Sequence, residues 1–126
     1  MPVCIKKKHR KFIQAAIFEA TKSSMRFKHG CVIVLQNSII ARGHNYNKQL
    51  FVRYSIHAEE DAINNLMQHN KAKMERRASM HLYVVRIRKD GIIANSAPCD
   101  VCSKRILKTL SITKVFYSST TTENIV

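Results

Sequence analysis

Acidic residues are scarce in this chain: eight Asp and Glu stand against 22 Lys and Arg in 126 residues, a formal net charge of +14. So large an excess suits a phosphate-bearing partner, a nucleotide or a nucleic acid, although solvated Lys/Arg faces on a small protein give the same sum. Long apolar runs are missing too. None approaches the roughly 18 to 20 residues that span a bilayer, so no membrane partner is expected. The opening Met1-Pro2-Val3-Cys4-Ile5-Lys6 has no long apolar segment after its charges and does not read as a secretory signal. Cysteine is limited to four residues, two of them in a single C-x-x-C. That is no disulfide framework, and it makes the reducing cytoplasm the expected location.

What is present is enough for one core. Hydrophobic residues make up 45% of the chain, so it should fold, and 126 residues fit a single domain spanning 1–126. The positive charge is concentrated in residues 1–30 and 71–90, while residues 31–70 balance. Lys6-Lys7-Lys8-His9-Arg10-Lys11 makes a basic N-terminal arm of about residues 1–11 that could grip phosphate or serve as a nuclear-import patch. Cations oppose the dipole at a helix start, so the helix behind this arm is expected to begin late.

Phe12, Ile13, Ala16, Ile17 and Ala20 then recur at spacings of three and four, which predicts an amphipathic helix over about residues 8–22. Cys31 to Leu35 reads as a buried strand, Asn37-Ser38 as a turn, and Ile39 to Gly43 as the returning strand. His44 to Asn47 follows at the strand end, and a polar loop is expected from there to residue 57. Ala58, Ala62, Ile63, Leu66 and Met67 keep a helical period. Residues 68–80 form a basic connection. His81 to Arg88 alternates as a strand, Asp90-Gly91 marks a turn, and Ile92 to Ala94 fits a short extra strand. A helix over about 99–110 and a strand over 114–117 complete the pattern, ahead of a polar C-terminal tail of about 118–126.

The chemistry sits in two short stretches, His57-Ala58-Glu59 and Pro98-Cys99-Asp100-Val101-Cys102. A structural zinc site is closed by four protein ligands, whereas a catalytic one keeps three and leaves a position for water. His57, Cys99 and Cys102 make three, and Glu59 is left to move protons. Residues i and i+2 inside a helix point apart, so His57 must precede the first turn if it and Glu59 are to converge. Cys99 and Cys102, three apart, share one face of a first turn, where the helix end favours thiolate. Cys31 offers a further sulfur but reads first as a buried thiol. His9, His29, His44, His69 and His81 have no second motif around them.

With both motifs in place the chain resembles the cytidine and deoxycytidylate deaminase superfamily, whose signature pairs H-x-E with P-C-x-x-C. The resemblance runs from the first helix to Tyr117. It implies an α/β, three-layer α-β-α cytidine-deaminase-like fold, a mixed sheet with helices on both faces and Zn2+ between two helix N-termini. It further implies His57, Cys99 and Cys102 as metal ligands, Glu59 as the proton shuttle, and Asn45 and Ala58 as substrate contacts. On its residues alone Asn45 is equally a turn residue. His rather than Cys at position 57 resembles the deoxycytidylate, tRNA-adenosine and polynucleotide-editing branches. Ala97 stands where the tRNA enzymes carry Glu, and the chain lacks the Trp typical of single-strand editors. Deoxycytidylate deaminase is therefore what it resembles best, by elimination. Hydrolytic deamination of a cytosine nucleotide is the expected function, and self-association is expected by analogy. The alternatives are a nucleic-acid-editing deaminase or a non-catalytic zinc module, closed by a fourth ligand such as Cys31 or His44, that binds nucleic acid.

Overall fold

The computed structural model describes residues 7–49, 52–69, 79–95, 99, 102–104, 106 and 112–118. The first helix, α1, spans Lys7–Thr21 and so begins inside the basic arm, earlier than its charges suggest. No acid in its first turn offsets the dipole. Tertiary contacts hold that end instead: the His9 ring lies 2.5 Å from the Tyr83 hydroxyl and 4.7 Å, centroid to centroid, from Phe116. Strands β1 (Lys28–Leu35) and β2 (Ser38–His44) form an antiparallel hairpin. Its two-residue loop, Gln36-Asn37, has positive φ at both positions, the mirror-image turn whose twist matches the flanking strands.

The expected polar loop before residue 57 is in fact a second hairpin. Strand β3 (Tyr46–Gln49) pairs with β4 (Val52–Ile56), Tyr46 opposite Ile56 and Asn47 opposite Ser55. Its ladder is a backbone property, and Asn47-Lys48-Gln49 carries no apolar alternation to announce it. Helix α2 (Ala58–His69) follows, then β5 (Met80–Ile87), the two-residue β6 (Ile93–Ala94) and β7 (Ile112–Tyr117).

The main sheet runs β2-β1-β5-β6, and β7 also pairs with β5. The first three pairings are antiparallel and β5–β7 is parallel, so the sheet is mixed. Both faces of β5 are covered: Leu82 and Val84 join Ile33, Ile63 and Ile106 in one core, while Tyr83 and Val85 join Phe12, Ile13 and Val32 in the other. Helix α1 thus covers one face, and α2 with the helical residues around Ile106 covers the other, three α-β-α layers as expected.

Two glycines set the spacing of these layers. A Cβ on Gly30 would collide with the α1 backbone at Ala16 and Ala20, and one on Gly43 with the α2 backbone at Ala58 and Ala62. Each helix therefore lies directly on its strand, at the end of β2 and the start of β1, and the N-terminus of α2 is held against the sheet.

Ser118 is not the start of a polar tail. It is 1% exposed, its Oγ donates to the Ala94 carbonyl at 2.7 Å and accepts from the Arg86 N–H at 3.1 Å, and its own N–H reaches Val84. Where β6 and β7 share the outer side of β5, the backbone groups left over need a side-chain partner, and Ser118 is it. The arm before residue 7, the basic connection at 70–78, most of the helix after Cys99 and the tail from 119 lie outside the described residues.

Candidate metal centre

Both metal-binding segments enter the site at helix starts. The His57 carbonyl accepts the Asp61 N–H at 2.9 Å, and the Cys99 carbonyl accepts the Ser103 N–H at 2.8 Å. Each residue thus occupies the capping position just before its helix, free of helical geometry, with N–H groups of the first turn pointing its way. That is why His57 and Glu59, two apart in sequence, can face one point. It also places two positive helix ends beside two sulfurs, and the Cys102 N–H lies 3.5 Å from the Cys99 Sγ.

The donor atoms of His57, Cys99 and Cys102 all lie within 4.8 Å of one another, and among the described residues no other cluster of metal-ligating side chains is found. His57 Nδ1 is 3.3 Å from Cys102 Sγ and 3.4 Å from Cys99 Sγ. A tetrahedral ion with bonds of about 2.0 Å to nitrogen and about 2.3 Å to sulfur sets N···S at about 3.5 Å. A ring N–H could serve only one sulfur at a time, whereas a shared ion accounts for both distances. Burial first, then the Glu59 carboxylate and Cys99, push the Cys102 thiol up. The residues fit a zinc ion, which also favours the thiolate form that binds it.

Glu59 is 5% exposed in the first turn of α2. Burial raises its pKa, opposed by its own backbone N–H, by His57 and by a hydrogen bond with Cys102. Burial thus favours the protonated form of this carboxyl relative to an exposed glutamate.

Cys31 is fully buried in the β1 core, its thiol pushed well up by burial first and by Glu59 next, and it is not part of the donor cluster. Ala58 is also fully buried, part of the core rather than of an open wall, with its carbonyl against Gly43. Asn45, 6% exposed, ties two strand ends together. Its Oδ1 accepts from the His29 N–H at 2.8 Å and its Nδ2 donates to the Phe27 carbonyl at 2.6 Å.

Three further residues frame this corner without a motif to mark them. Asp61, beyond favouring the helix start, accepts the His44 N–H at 3.0 Å and so clamps the end of β2 to α2. His29 and Arg86 face each other across the β1–β5 ladder. Burial, then Arg86, then His57 lower the His29 pKa to about 4, so its ring is neutral at pH 7. The Arg86 guanidinium in turn lies 4.5 Å from the centre of the Phe27 ring, which is 47% exposed. The register of the hairpin against β5 brings His29 and Arg86 together, and the seat of α2 on β2 brings Asp61 to His44, which is why sequence spacing could not announce them.

Comparison with known proteins agrees with this geometry. Residues 6–119 match the model of the cytidine and deoxycytidylate deaminase zinc-binding region. No curated protein matches the sequence. Among solved structures, the dCMP deaminase of cyanophage S-TIM5 is similar with a TM-score of 0.70 and 22% identity, over 92% of this chain and 86% of that one. That phage enzyme has also been solved in complex with dCMP and dUMP. The cytidine deaminase of Burkholderia pseudomallei gives 0.65 and 19%, over 89% and 85%. The guanine deaminase of Bacillus subtilis gives 0.60 and 23%, over 88% of this chain and 64% of that one. At these identities the neighbours establish the cytidine-deaminase-like fold. The family match, covering nearly the whole chain and both metal-binding segments, goes further: the chain belongs to the cytidine and deoxycytidylate deaminase family.

Proposed function

We propose that the protein hydrolyses the exocyclic amino group of a cytosine nucleotide, in the manner of deoxycytidylate deaminases, releasing ammonia. The observation that carries this reading is the buried Glu59 carboxyl beside a His57, Cys99 and Cys102 cluster whose spacing fits zinc. Zinc held by those three residues would lower the pKa of a water molecule towards neutrality. Glu59 carries the two protons of that water in turn, the first to ring nitrogen N3 and the second to the departing amino group. The water oxygen joins C4 as the C4–N bond breaks, leaving uracil and ammonia. Burial of Glu59 favours its protonated form between the two transfers. Asn45 acts as a fixed wall for the sugar, and the Ala58 contact runs through its backbone, since its methyl lies in the core. Self-association belongs to the same reading. It is supported by β2 and β7 at the outer sides of the described sheet, where backbone groups can pair with a second copy.

The test is ammonia release by zinc-loaded protein from cytidine, its mono- and triphosphates, guanine, and short RNA and DNA. Glu59→Gln should keep its zinc and lose activity by about 10³-fold or more. Activity close to that of the unsubstituted protein would remove Glu59 from the chemistry. Guanine as the best substrate would move the reading to a purine.

A further inference from the structure

At the end of the sheet where β1 begins and β5 ends, on its α1 face, lies a cavity of about 570 Å³ between the loop after α1 and the turn from β5 to β6. Its lining includes Arg26, Lys28, Arg88 and Lys89, and none of its described lining residues is acidic. Arg88 is held at 3.1 Å by Asp90, outside the lining, which fixes the turn and offsets one charge of the four. The cavity lies on the α1 face of the sheet, opposite the face that carries the metal centre, and the two meet only round the sheet end. Lys28 pairs with Ile87 one step beyond the His29–Arg86 pair, so the two pairs face opposite sides of the same sheet end. Between cavity and corner stands Phe27, half-exposed, with the Arg86 guanidinium 4.5 Å and the Arg26 guanidinium 5.7 Å from its ring centre. Its carbonyl is held by Asn45.

Cations gathered in a concave site raise the local concentration of anions. A terminal phosphate carries a charge of about −2 at pH 7 and a phosphodiester about −1, so the four cations of the lining can serve more than one such group. An exposed ring flanked by arginines beside a cationic groove is what a nucleobase and its phosphates require of a protein surface. Resting on the deaminase reading, we propose that this cavity binds the phosphate chain of the substrate beyond the reacting nucleoside: either the outer phosphates of a nucleoside triphosphate or the phosphodiesters of a single strand.

The test uses the zinc-loaded full-length protein and the double variant Lys28→Glu/Lys89→Glu, checked for folding by circular dichroism and melting. Binding of labelled oligothymidylate, which has no amino group to remove, is read by fluorescence anisotropy against salt, with inorganic tripolyphosphate as competitor. The proposal expects the charge reversal to weaken binding by about tenfold or more. It also expects the slope of log K against log salt to become shallower by about 1.4. A folded double variant that binds both anions as the unsubstituted protein does would overturn it. Phe27→Ala separates the two sources. Loss of oligothymidylate affinity with tripolyphosphate competition retained assigns the site to a strand, and equal retention of both assigns it to the outer phosphates of a free nucleotide. These binding readouts need no turnover, so a protein that binds but releases no ammonia would refute the deaminase reading alone.

Discussion

Asn45 shows how one side chain can serve structure at the edge of a site. Its amide holds both the 27 carbonyl and the 29 N–H, and so positions Phe27 and His29 together. Asn45→Asp keeps the acceptor and replaces the donor to Phe27 with an oxygen facing an oxygen. It should cost about 2 kcal/mol or more by urea denaturation, whatever its effect on catalysis. A stability equal to the parent's would mean that the pair of bonds contributes nothing. His29 gives a second residue-scale prediction, with a definite sign. Its pKa lies at about 4 in the folded protein against 6.5 for the free side chain, so the unfolded chain binds more protons between those values. The folded state has its full advantage above about pH 6.5 and loses it as pH falls towards 4. His29→Gln should flatten that acid limb in urea midpoints measured from pH 7 down to 4.5 at equal zinc. Parallel limbs for parent and variant would contradict it.

At the scale of elements, the two close helix–strand contacts decide where the α2 N-terminus sits. Gly43→Ala must push α2 off β2 at Ala58 and Ala62, the turn that carries His57 and Glu59. Gly30→Ala does the same to α1 at Ala16 and Ala20, on the opposite face. Each should cost about 3 kcal/mol, roughly a 10 °C fall in melting temperature. Only the Gly43 variant should also weaken zinc retention, as read by chelator competition. Equal zinc retention in both variants would uncouple the α2 contact from the metal site. Elements with a strong side-chain period were legible in the sequence: α1, α2, the two faces of β5 and even the short β6. The β3–β4 hairpin was not, because backbone pairing formed it without an apolar stripe. The apolar period also placed the start of α1 to within a residue, and Tyr83 and Phe116, far along the chain, anchor His9 there against the helix dipole.

Over the whole molecule, the amino-acid sequence by itself determined which groups could do chemistry. Imidazole, two thiols and a carboxyl are properties of the residues, and their spacing within each segment limits how each can be presented. It also determined the surplus of positive charge. The tertiary structure alone decided that segments 42 and 45 residues apart converge within bonding range of one ion. It decided that Cys31 stays in the core and that Asn45, Asp61 and Ser118 hold strand ends together. It gathered the cations Arg26, Lys28, Arg88 and Lys89 around one cavity at the end of the sheet. The physical reason is range. Side-chain identity and helical or strand period are local, whereas burial, charge coupling and convergence depend on which distant backbones the sheet places side by side.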